Sequence, residues 1–407
     1  MNNCLICNSE FTPFVDFGDM PIANAFSTKE ELEDEYTFPM KVGFCSNCKM
    51  VQLVEQPDRE KMFHENYAFF SSTSNYMQKH FRLFSESVSE LQGLNEKSFI
   101  VEIGCNDGIL LQNFTAKNIP SLGIEPSKNV SEVAQNKGIN VLTEFFDQPL
   151  AEDILKKYQK ADAILSANVM CHIPYIHSIY DGVKTLLNDS GVFIFEDPYL
   201  GEIIEKTSFD QIYDEHVFLF SALSISNLAN MHDLELINVE PQITHGGSMR
   251  YTLAHKGMKK ISQNVVNLIK QEEKLGLDHN NAYLGFTDSV NMIKHDLNEL
   301  LNNLKIQGKK VVAYGATSKS TTVTNYFGIR SDLVEAIYDT TPIKHNKLSP
   351  GAHIPVLPYE QFHQSNPDYV LLFAWNHATE IMKKEQDFMT KGKYWITYIP
   401  EVKVISE

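Results

Sequence analysis

Long apolar runs and concentrated positive charge are both missing from this sequence of 407 residues. No apolar stretch reaches the roughly 20 residues that a membrane-spanning helix needs, so we expect no transmembrane segment. The N-terminal residues MNNCLICNSEFTPF contain no basic segment followed by an apolar one, so we expect no secretory signal. Lys and Arg total 35 against 52 Asp and Glu, a net charge of −17. That charge repels phosphate backbones and anionic lipids, which argues against a nucleic-acid or membrane partner.

Cysteine is scarce, with six in the chain. This is too few for a disulfide scaffold, and we expect a cytoplasmic protein with reduced cysteines. Cys4, Cys7, Cys45 and Cys48 form two CxxC pairs separated by 37 residues. Four thiolates in two tight turns suit tetrahedral Zn²⁺ and predict a structural site. Reduced cysteines without metal, or a redox role for one pair, are the less favoured alternatives.

Length and hydrophobic patterning predict an α/β protein of three parts. Residues 1–62 carry both CxxC pairs and form the predicted zinc-binding domain. Within residues 63–256 we predict a helix over about 65–95, followed by the runs FIVEIG, PSLGIE, ADAILSAN and GVFIFED. Their alternation with helical segments is typical of βαβ units and predicts a Rossmann-like domain with a parallel sheet. Residues 257–407 predict two helices and then a second Rossmann-like α/β domain.

A glycine-containing turn follows the first predicted strand of the central domain, in VEIGCNDGILL. Gly104 and Gly108 let the backbone approach a ligand at a helix N-terminus. The loop does not match the dinucleotide fingerprint GxGxxG, and its acidic residue would repel a pyrophosphate but bind the ammonium of a methionine group. Glu125 ends the next strand and is placed for ribose hydroxyls, while Asp147 is placed for an adenine amine. These features favour S-adenosylmethionine over a dinucleotide, with predicted contacts from Glu102, Gly104, Asn106, Asp107, Gly108, Glu125 and Asp147.

A second glycine loop, VVAYGATSKSTTV, lies near the start of the predicted C-terminal domain. It lacks the GxxxxGK[ST] spacing of a P-loop. Its backbone N–H groups or Lys319 are candidates for contact with a nucleotide phosphate. A tight turn between a strand and a helix explains the same residues equally well.

Candidate acid–base residues occur together in the segment YDEH. Tyr213, Glu215 and His216 supply a phenol donor, an orienting carboxylate and a proton acceptor. Upstream, Asn168 and His172 follow a predicted strand, at the edge of the sheet where α/β proteins bind ligands. Any one of these histidines, taken alone, is equally explained as a buried side chain with satisfied hydrogen bonds.

A further polar segment, THGGSMR, follows this cluster. Its two glycines, Gly246 and Gly247, permit close approach to a ligand. His245 and Arg250 suit a ligand that carries phosphate. We therefore predict that these four residues bind the substrate.

Together these motifs resemble the zinc-containing, S-adenosylmethionine-dependent C-methyltransferases of nucleotide-linked deoxysugars, such as those of the tetronitrose and mycarose pathways. The resemblance spans nearly the whole chain and rests on both CxxC pairs with DFGDMPIANAF, ENYAFFSSTS, VEIGCNDGILL, NVMCHIP, YDEH, ITHGGSMR, LLFAWNHATEI and YIPEVKVI. It implies a zinc domain, a methyltransferase domain and a C-terminal domain that helps to hold a sugar nucleotide. We expect the sugar nucleotide to be the binding partner, and we expect the protein to be a monomer.

The resemblance also implies roles for individual residues. His216 would be the base that removes the C-3 proton of a 4-keto sugar, with Glu215 setting its tautomer. Tyr213 and His172 would lie near the enolate oxygen. Tyr67 and residues 71–74 would lie over the methyl donor or the nucleotide phosphates. The predicted cofactor contacts then include Tyr67 and Asn168, and the predicted substrate contacts are Ser74, Tyr76, His245, Gly246, Gly247, Arg250 and Lys319.

Two segments differ from the usual family pattern. The C-terminal glycine loop reads Gly-Ala-Thr-Ser-Lys-Ser where relatives have a sequence closer to Gly-Ala-Pro-Ala-Lys-Gly, and Val-Phe-Leu-Phe follows YDEH where relatives more often carry a Tyr. The differences concern the nucleotide and sugar contacts, not the proposed base. O- or N-methylation of another small molecule, a nucleotide-sensing zinc protein and a nucleic-acid methyltransferase are the alternative functions.

Overall fold

The structure is a computed structural model that describes residues 2–57, 70–389 and 392–406. These residues form three β-sheets, one antiparallel and two mainly parallel, with helices packed against them. Within the described ranges, no helix is both long enough and apolar enough to cross a membrane.

The N-terminal sheet is antiparallel and has the strand order β1-β2-β3-β9. Its last strand comes from a later part of the chain, so this sheet is tied to the central one. The strands are β1 (Thr12–Pro21), β2 (Thr37–Phe44), β3 (Val51–Leu53) and β9 (Phe218–Leu219).

The central sheet has seven strands in the order β10-β11-β8-β7-β4-β5-β6. Strands β4 to β8 are parallel, and β11 joins β8 in the antiparallel sense. The strands are β4 (Ile100–Ile103), β5 (Ser121–Ile124), β6 (Val141–Leu142), β7 (Ala161–Ala167), β8 (Leu187–Pro198), β10 (Leu234–Gln242) and β11 (Ser248–His255). The helices are α1 (Asn75–Gln92), α2 (Gln112–Thr115), α3 (Lys128–Asn136), α4 (Gln148–Lys157), α5 (Ile176–Leu186), α6 (Leu200–Lys206) and α7 (Ala222–Met231).

Helix α1 is shorter than the predicted helix over 65–95. It begins after Ser74, whose side chain accepts a hydrogen bond from the Met77 N–H, and ends at Gly93 in the left-handed conformation. These are common helix caps. The helix buries Phe81, Phe84 and Val88, whereas Leu83 is exposed. The predicted N-terminal part of the helix lies partly in residues 58–69, outside the described ranges.

The C-terminal sheet has the order β14-β15-β13-β12-β16-β17-β18, and its central strands are parallel. The predicted pair of helices and the second α/β unit are confirmed. The strands are β12 (Val311–Tyr314), β13 (Ile337–Asp339), β14 (Lys347–Leu348), β15 (Pro355–Pro358), β16 (Tyr369–Leu372), β17 (Tyr394–Thr397) and β18 (Lys403–Ile405). The helices are α8 (Gln263–Leu275), α9 (Asn280–Ile306), α10 (Ser318–Phe327), α11 (Phe362–Ser365), α12 (Ala378–Lys384) and α13 (Gln386–Met389).

Helices α8 and α9 link the three sheets. Helix α8 buries Val265 and Leu268 in the core of the central sheet. Its Glu272 accepts hydrogen bonds from the first two N–H groups of α7, at 2.7 and 2.9 Å. Helix α9 packs on the N-terminal sheet, where Tyr283 stacks on Phe44 with ring centroids 4.5 Å apart. The predicted boundary at residue 256 therefore separates α8 from the core of the central sheet, to which α8 contributes. The limits of the three domains stay a prediction.

Candidate active site

The four paired cysteines come together at the end of the N-terminal sheet. Their sulfur atoms all lie within 4.8 Å of one another. The two turns have the same geometry: the carbonyls of Cys4 and Cys45 each accept an N–H at 2.9 Å from the residue four positions on, Asn8 or Lys49. Both of those residues have a positive φ. Paired turns of this kind converge four sulfurs on one point and fit tetrahedral Zn²⁺.

The surroundings affect the four cysteines differently: burial raises the pKa of Cys45 and the hydrogen bond with Cys4 raises that of Cys48, whereas Cys4 is favoured as a thiolate. A hydrogen bond from the Cys48 thiol, supported by the backbone N–H groups of Cys7 and Ile6, lowers the pKa of Cys4 to about 5. Thiolate is the form that binds metal. Cys4 and Cys48 are almost fully buried, so a bound ion would be shielded from solvent and play a structural part.

The first glycine loop makes its turn only with residues in the left-handed region. Gly104, Asn106 and Gly108 have φ values of 70°, 48° and 79°. A Cβ atom on Gly104 would lie 2.4 Å from Cγ2 of Val169, and one on Gly108 would lie 2.1 Å from Cδ1 of Ile139. Side chains are therefore excluded at both glycines by the packing of the loop against its neighbours.

Acidic groups around this loop fit a cationic ligand. Glu102 Oε2 and Asp107 Oδ1 are buried and accept no hydrogen bond from the described residues. Burial first, and then the charges of Glu125 and Asp107, raise the pKa of Glu102 well above its usual value. A buried acceptor without a donor is costly, and the ammonium of a methionine group would supply one. The loop therefore fits S-adenosylmethionine, as the sequence predicted.

Glu125 lies beside this loop with its carboxylate fixed. One oxygen accepts from the Asn106 N–H at 3.0 Å and the other from the Ser127 N–H at 2.8 Å. Each oxygen retains a lone pair, since a carboxylate accepts about four hydrogen bonds. The geometry thus keeps Glu125 able to accept from two adjacent hydroxyl groups.

One cavity joins the glycine loop to two of the predicted histidines, His172 and His245, whereas His216, whose ring lies 5.3 Å from that of His172, is not part of its wall. One end is lined by Gly104, Asn106 and Glu125, and the other by His172 and His245. Between these ends the wall is mainly apolar. The remaining lining residues are Ser71, Met77, Phe81, Glu102, Ile103, Cys105, Ile109, Ile124, Pro126, Phe145, Phe146, Ala167, Asn168, Val169, Ile173, Pro174 and Tyr175.

The aromatic and apolar members of this wall were not predicted from the sequence. Phe145 and Phe146 stand beside Asp147, which was chosen because it is polar. The structure places Asp147 outside the cavity wall, where its carboxylate caps α4 by accepting from the Leu150 N–H at 2.9 Å. A capping Asp followed by Pro149 is a helix-start signal. We therefore no longer assign Asp147 to adenine.

The segment before α1 contacts the glycine loop through Ser71 and Ser72, which belong to the predicted range 71–74, and Ser71 lines the cavity. The N–H groups of Ser71 and Ser72 donate to Asn106 Oδ1 and Asp107 Oδ2, at 3.0 and 3.1 Å. Ser74 caps α1, and Tyr76 is 41% exposed; neither lines the cavity. The predicted contact Tyr67 lies outside the described residues.

The segment of residues 209–216, here termed the base loop, carries the predicted base. His216 is buried, and its Nδ1 lies 2.5 Å from the carbonyl oxygen of Gln211. Its ring lies 4.0 Å from the ring of Tyr213 and 5.3 Å from that of His172, measured between centroids. Burial lowers the pKa of His216 well below its usual value, and the positive charge of Lys319 adds to this effect. The imidazole is therefore neutral and carries its proton on Nδ1.

Glu215 does not set the tautomer of His216, contrary to the implication of the family resemblance. The Gln211 carbonyl occupies the Nδ1 position. The Glu215 carboxylate instead accepts a hydrogen bond of 3.0 Å from the side chain of Asn24, in the N-terminal part of the chain. Burial raises the pKa of Glu215 to about 7.

Arg250 is committed to protein contacts rather than open to a phosphate. It forms an ion pair with Glu196, in which its Nε lies 2.6 Å from the carboxylate, and its guanidinium lies 4.0 Å from the centroid of Phe84. His80 also contacts Glu196, at 2.6 Å. Arg250 is 8% exposed, so its assignment to the substrate is withdrawn. The partners lie far apart in the sequence, which explains why the pattern THGGSMR was misleading.

Gly246 and Gly247 serve close packing in the structure. A Cβ on Gly246 would lie 2.6 Å from the ring of Trp375, and one on Gly247 would lie 2.8 Å from Cγ of Glu202. Trp375 belongs to the C-terminal part of the chain, and its indole N–H donates to Asp210 of the base loop at 2.7 Å. Gly246 thus lets the C-terminal part approach the base loop, whereas Gly247 lets its own segment pack against α6.

Lys319 lies in the first turn of α10 and faces the same region. Its charge lowers the pKa values of His216 and His245, and in turn it interacts with Asp210. Burial lowers the pKa of Lys319 itself. Lys319 therefore acts electrostatically on the cavity residue His245.

Comparison with known proteins agrees with this arrangement along the whole chain. Three family models match in succession: "Putative zinc binding domain" over residues 4–63, "Methyltransferase domain" over 76–239 and "C-methyltransferase C-terminal domain" over 243–400. The C-methyltransferase NovU of Streptomyces niveus is 30% identical over 409 residues, covering 100% of this chain and 97% of that protein. The ubiquinone biosynthesis O-methyltransferase of Glaesserella parasuis serovar 5 (strain SH0165) is 31% identical over 99 residues, 23% of this chain and 42% of that protein.

Two similar solved structures each cover less than half of this chain. The magnesium protoporphyrin IX methyltransferase of Synechocystis PCC 6803 with bound S-adenosylmethionine is 13% identical, with a TM-score of 0.34, over 44% of this chain and 79% of that one. An S-adenosylmethionine-dependent methyltransferase of Clostridium acetobutylicum ATCC 824 is 12% identical, with a TM-score of 0.35, over 46% and 94%.

The family models and the full-length relative, with the cysteine cluster and the glycine loop, define an S-adenosylmethionine-dependent methyltransferase with an N-terminal zinc-binding domain. The chain belongs to the C-methyltransferase family of which NovU is a member.

Proposed function

We propose that this C-methyltransferase acts on a nucleotide-linked 4-keto-deoxysugar and transfers the methyl group to C-3. The observation that carries the proposal is the shared cavity, which runs from the glycine loop and Glu125 to His172 and His245. A methyl donor bound at one end would point toward a cluster of neutral histidines at the other. Methylation of carbon requires a base near the acceptor, and this cluster supplies one.

The binding of S-adenosylmethionine is assigned to the glycine loop and its acids. The cofactor supplies an electrophilic methyl group on a sulfonium centre. Glu102 lines the cavity and offers an unpaired, buried oxygen to the ammonium group, and Glu125 offers its fixed carboxylate to the ribose hydroxyls. Asp107 adds negative charge beside them, although it is outside the cavity wall and one of its oxygens lies 3.7 Å from the Lys137 ammonium. Phe145 and Phe146 provide an apolar wall for the adenine ring.

Proton removal is assigned to His216. Because Nδ1–H donates to the Gln211 carbonyl, Nε2 carries the lone pair that takes the proton from C-3. The electron pair of the broken C–H bond moves onto the 4-keto oxygen to form an enolate. Tyr213 and His172, which contact the His216 ring, are assigned to stabilise the enolate oxygen. The enolate carbon then bonds to the methyl carbon as the methyl–sulfur bond breaks.

Lys319 and His245 are assigned to the anionic part of the sugar nucleotide. The charge of Lys319 acts on His245 and on Asp210 of the base loop. A diphosphate there would neutralise the buried ammonium group. We expect the protein to act in the cytoplasm as a monomer.

The experiment is incubation of the purified protein with S-adenosylmethionine labelled with ¹³C in the methyl group and a dTDP-4-keto-deoxysugar. We expect a product whose labelled methyl carbon couples to a sugar carbon in the NMR spectrum. A labelled methyl group on oxygen or nitrogen would overturn the proposal in favour of O- or N-methylation. If the keto sugar stays unmethylated while S-adenosylmethionine binds, the assigned substrate is wrong.

A further inference from the structure

The loop that follows β1, residues 22–26, leaves the zinc-binding domain and contacts both other domains. The N–H of Ala23 donates to Asp214 Oδ1 at 2.9 Å. On its other side, the carbonyl of Ala23 accepts from the Thr321 hydroxyl in α10 at 3.0 Å. Ala23 is 1% exposed. This loop is therefore wedged between the base loop and the C-terminal domain.

The side chain of Asn24 makes two contacts across this junction. Its Nδ2 donates to Glu215 Oε1 at 3.0 Å, and its Oδ1 accepts from the Ser318 hydroxyl at 3.2 Å. The partners fix the orientation of the amide, because a carboxylate oxygen needs a donor and exchanging the two amide atoms would place oxygen against oxygen. Asn24 thus bridges the base loop and α10.

Glu215 lies in an enclosed, charged environment. It is 5% exposed, and its charged neighbours and titratable contacts are Asp214 in the same loop, Lys344 from the C-terminal domain and the Cys171 thiol. Burial raises the pKa of Glu215, whereas Asn24 and then Lys344 oppose the rise and leave it at about 7. The Asn24 amide is the contact that comes from the zinc-binding domain.

The backbone of the base loop transmits the position of Glu215 to His216. The N–H of His216 donates to the Tyr213 carbonyl at 2.9 Å, and the N–H of Val217 donates to the Glu215 carbonyl at 3.1 Å. In a turn this tight, a shift of Glu215 moves the imidazole of the next residue. Displacements of about 1 Å at a reacting group cost on the order of 100-fold in rate.

We propose that Asn24 is a positioning residue of the active site: it holds the Glu215 carboxylate and thereby the base loop, so that the zinc-binding domain takes part in the reaction. This inference rests on the proposed function, because it takes His216 to be the base that removes the proton. It adds a role for the N-terminal domain beyond binding zinc. Asn24 acts through Glu215 and is not itself placed against the reacting atoms.

The first test needs no substrate. In protein labelled with ¹³C at the glutamate carboxyl carbons, the variant Glu215→Gln identifies the signal of Glu215. We expect that signal to titrate near pH 7 in the wild type and roughly one to two pH units higher in Asn24→Ala, because one hydrogen bond to the charged form is lost. Ser27→Ala, in which a hydroxyl bonded to the Ala25 carbonyl is removed just after this loop, should leave the midpoint unchanged.

An equal midpoint in Asn24→Ala and the wild type would overturn the inference. Zinc content and circular dichroism report whether the variant folds. If Asn24→Ala does not fold, Asn24→Asp has the same shape but no donor, and the same upward shift is expected. An unshifted midpoint in that variant would equally contradict the proposal.

The second test is the pH profile of kcat for methyl transfer. We expect kcat of Asn24→Ala to fall roughly 10-fold at pH 7 and to recover toward the wild-type value at pH 9. The reason is that the ionisation of Glu215, which produces the acid side of the profile, moves to higher pH in the variant. The Kd for S-adenosylmethionine should not change. A loss of equal size at every pH would show a structural role only. If the wild type transfers no methyl group to the keto sugar, the proposed function fails, while the titration still decides the role of Asn24.

Discussion

Nδ1 of His216 lies 2.5 Å from the backbone carbonyl oxygen of Gln211, five residues earlier in the base loop. A carbonyl oxygen only accepts, so this contact places the ring proton on Nδ1 and the lone pair on Nε2. A backbone acceptor does not titrate, so this tautomer persists whatever the charge of Glu215.

We predict that His216 stays neutral, with its proton on Nδ1, as the pH falls from 8 to about 5.5. Burial and the positive charge of Lys319 penalise the imidazolium, so the pKa lies well below that of an exposed histidine. Nitrogen-15 NMR of labelled histidines, assigned with His216→Ala, measures both the tautomer and the titration. His295, whose side chain is 76% exposed on α9, supplies the reference signal. A proton on Nε2, or a His216 titration near pH 6.5, would contradict this prediction.

We predict that Gly104→Ala weakens S-adenosylmethionine binding at least about tenfold, which is about 1.4 kcal/mol. The new methyl group would have to displace Val169 from the cavity wall, and φ at this position is 70°. Gly138→Ala is the matched control, because φ is 82° there but no atom lies within 4 Å of the added carbon. Isothermal titration calorimetry should show an unchanged Kd for Gly138→Ala. Equal losses in both variants would mean that backbone strain alone explains the effect.

We predict that Cys45→Ser removes the zinc ion and lowers the thermal midpoint of unfolding. The variant leaves three sulfur ligands, and a structural zinc site contributes directly to folding. Elemental analysis should give one zinc per chain in the wild type and close to none in the variant. Ser46→Ala changes an exposed residue in the same turn and should keep its zinc. Zinc retained by Cys45→Ser would show that the four cysteines are not the ligands.

We predict that Asp197→Asn stabilises the protein increasingly as the pH rises from 4 to 8. Burial raises the pKa of Asp197 to about 8, so the folded chain holds a proton there that the unfolded chain has released. Wild-type stability therefore falls across this range, by as much as about 5 kcal/mol from this group. Urea unfolding at pH 5 and pH 8 should show that the free energy of unfolding of Asp197→Asn exceeds that of the wild type by more at pH 8 than at pH 5. In Asp189→Asn, whose side chain is 85% exposed, the difference should stay constant.

The features that local sequence specifies were predictable. Each CxxC turn is complete within six residues, and the positive φ at Gly104 and Gly108 is a property of glycine itself. The order of strands and helices followed from hydrophobic periodicity alone. The zinc cluster, the glycine loop and the two α/β units therefore appear in the structure where the sequence indicated them.

Contacts between distant segments were not predictable in the same way. Arg250 looked like a phosphate ligand because its partner Glu196 lies 54 residues away. Glu215 was paired with its neighbour His216, whereas its actual partner, Asn24, is 191 residues away. Pro149 indicated that Asp147 caps a helix. Asp147 was nevertheless assigned to the cofactor because it is polar, and the two phenylalanines before it, which line the cavity, were not predicted. Tertiary packing decided each of these cases.

The central claim, that His216 generates an enolate, is tested most directly by proton exchange in heavy water. The wild-type protein and a dTDP-4-keto-deoxysugar are incubated with S-adenosylhomocysteine, which fills the cofactor site without a methyl group to transfer. We predict that mass spectrometry detects solvent deuterium at C-3, and that His216→Ala lowers the exchange rate by ~10²–10⁴-fold while His295→Ala does not. Exchange at the wild-type rate in His216→Ala would contradict the account.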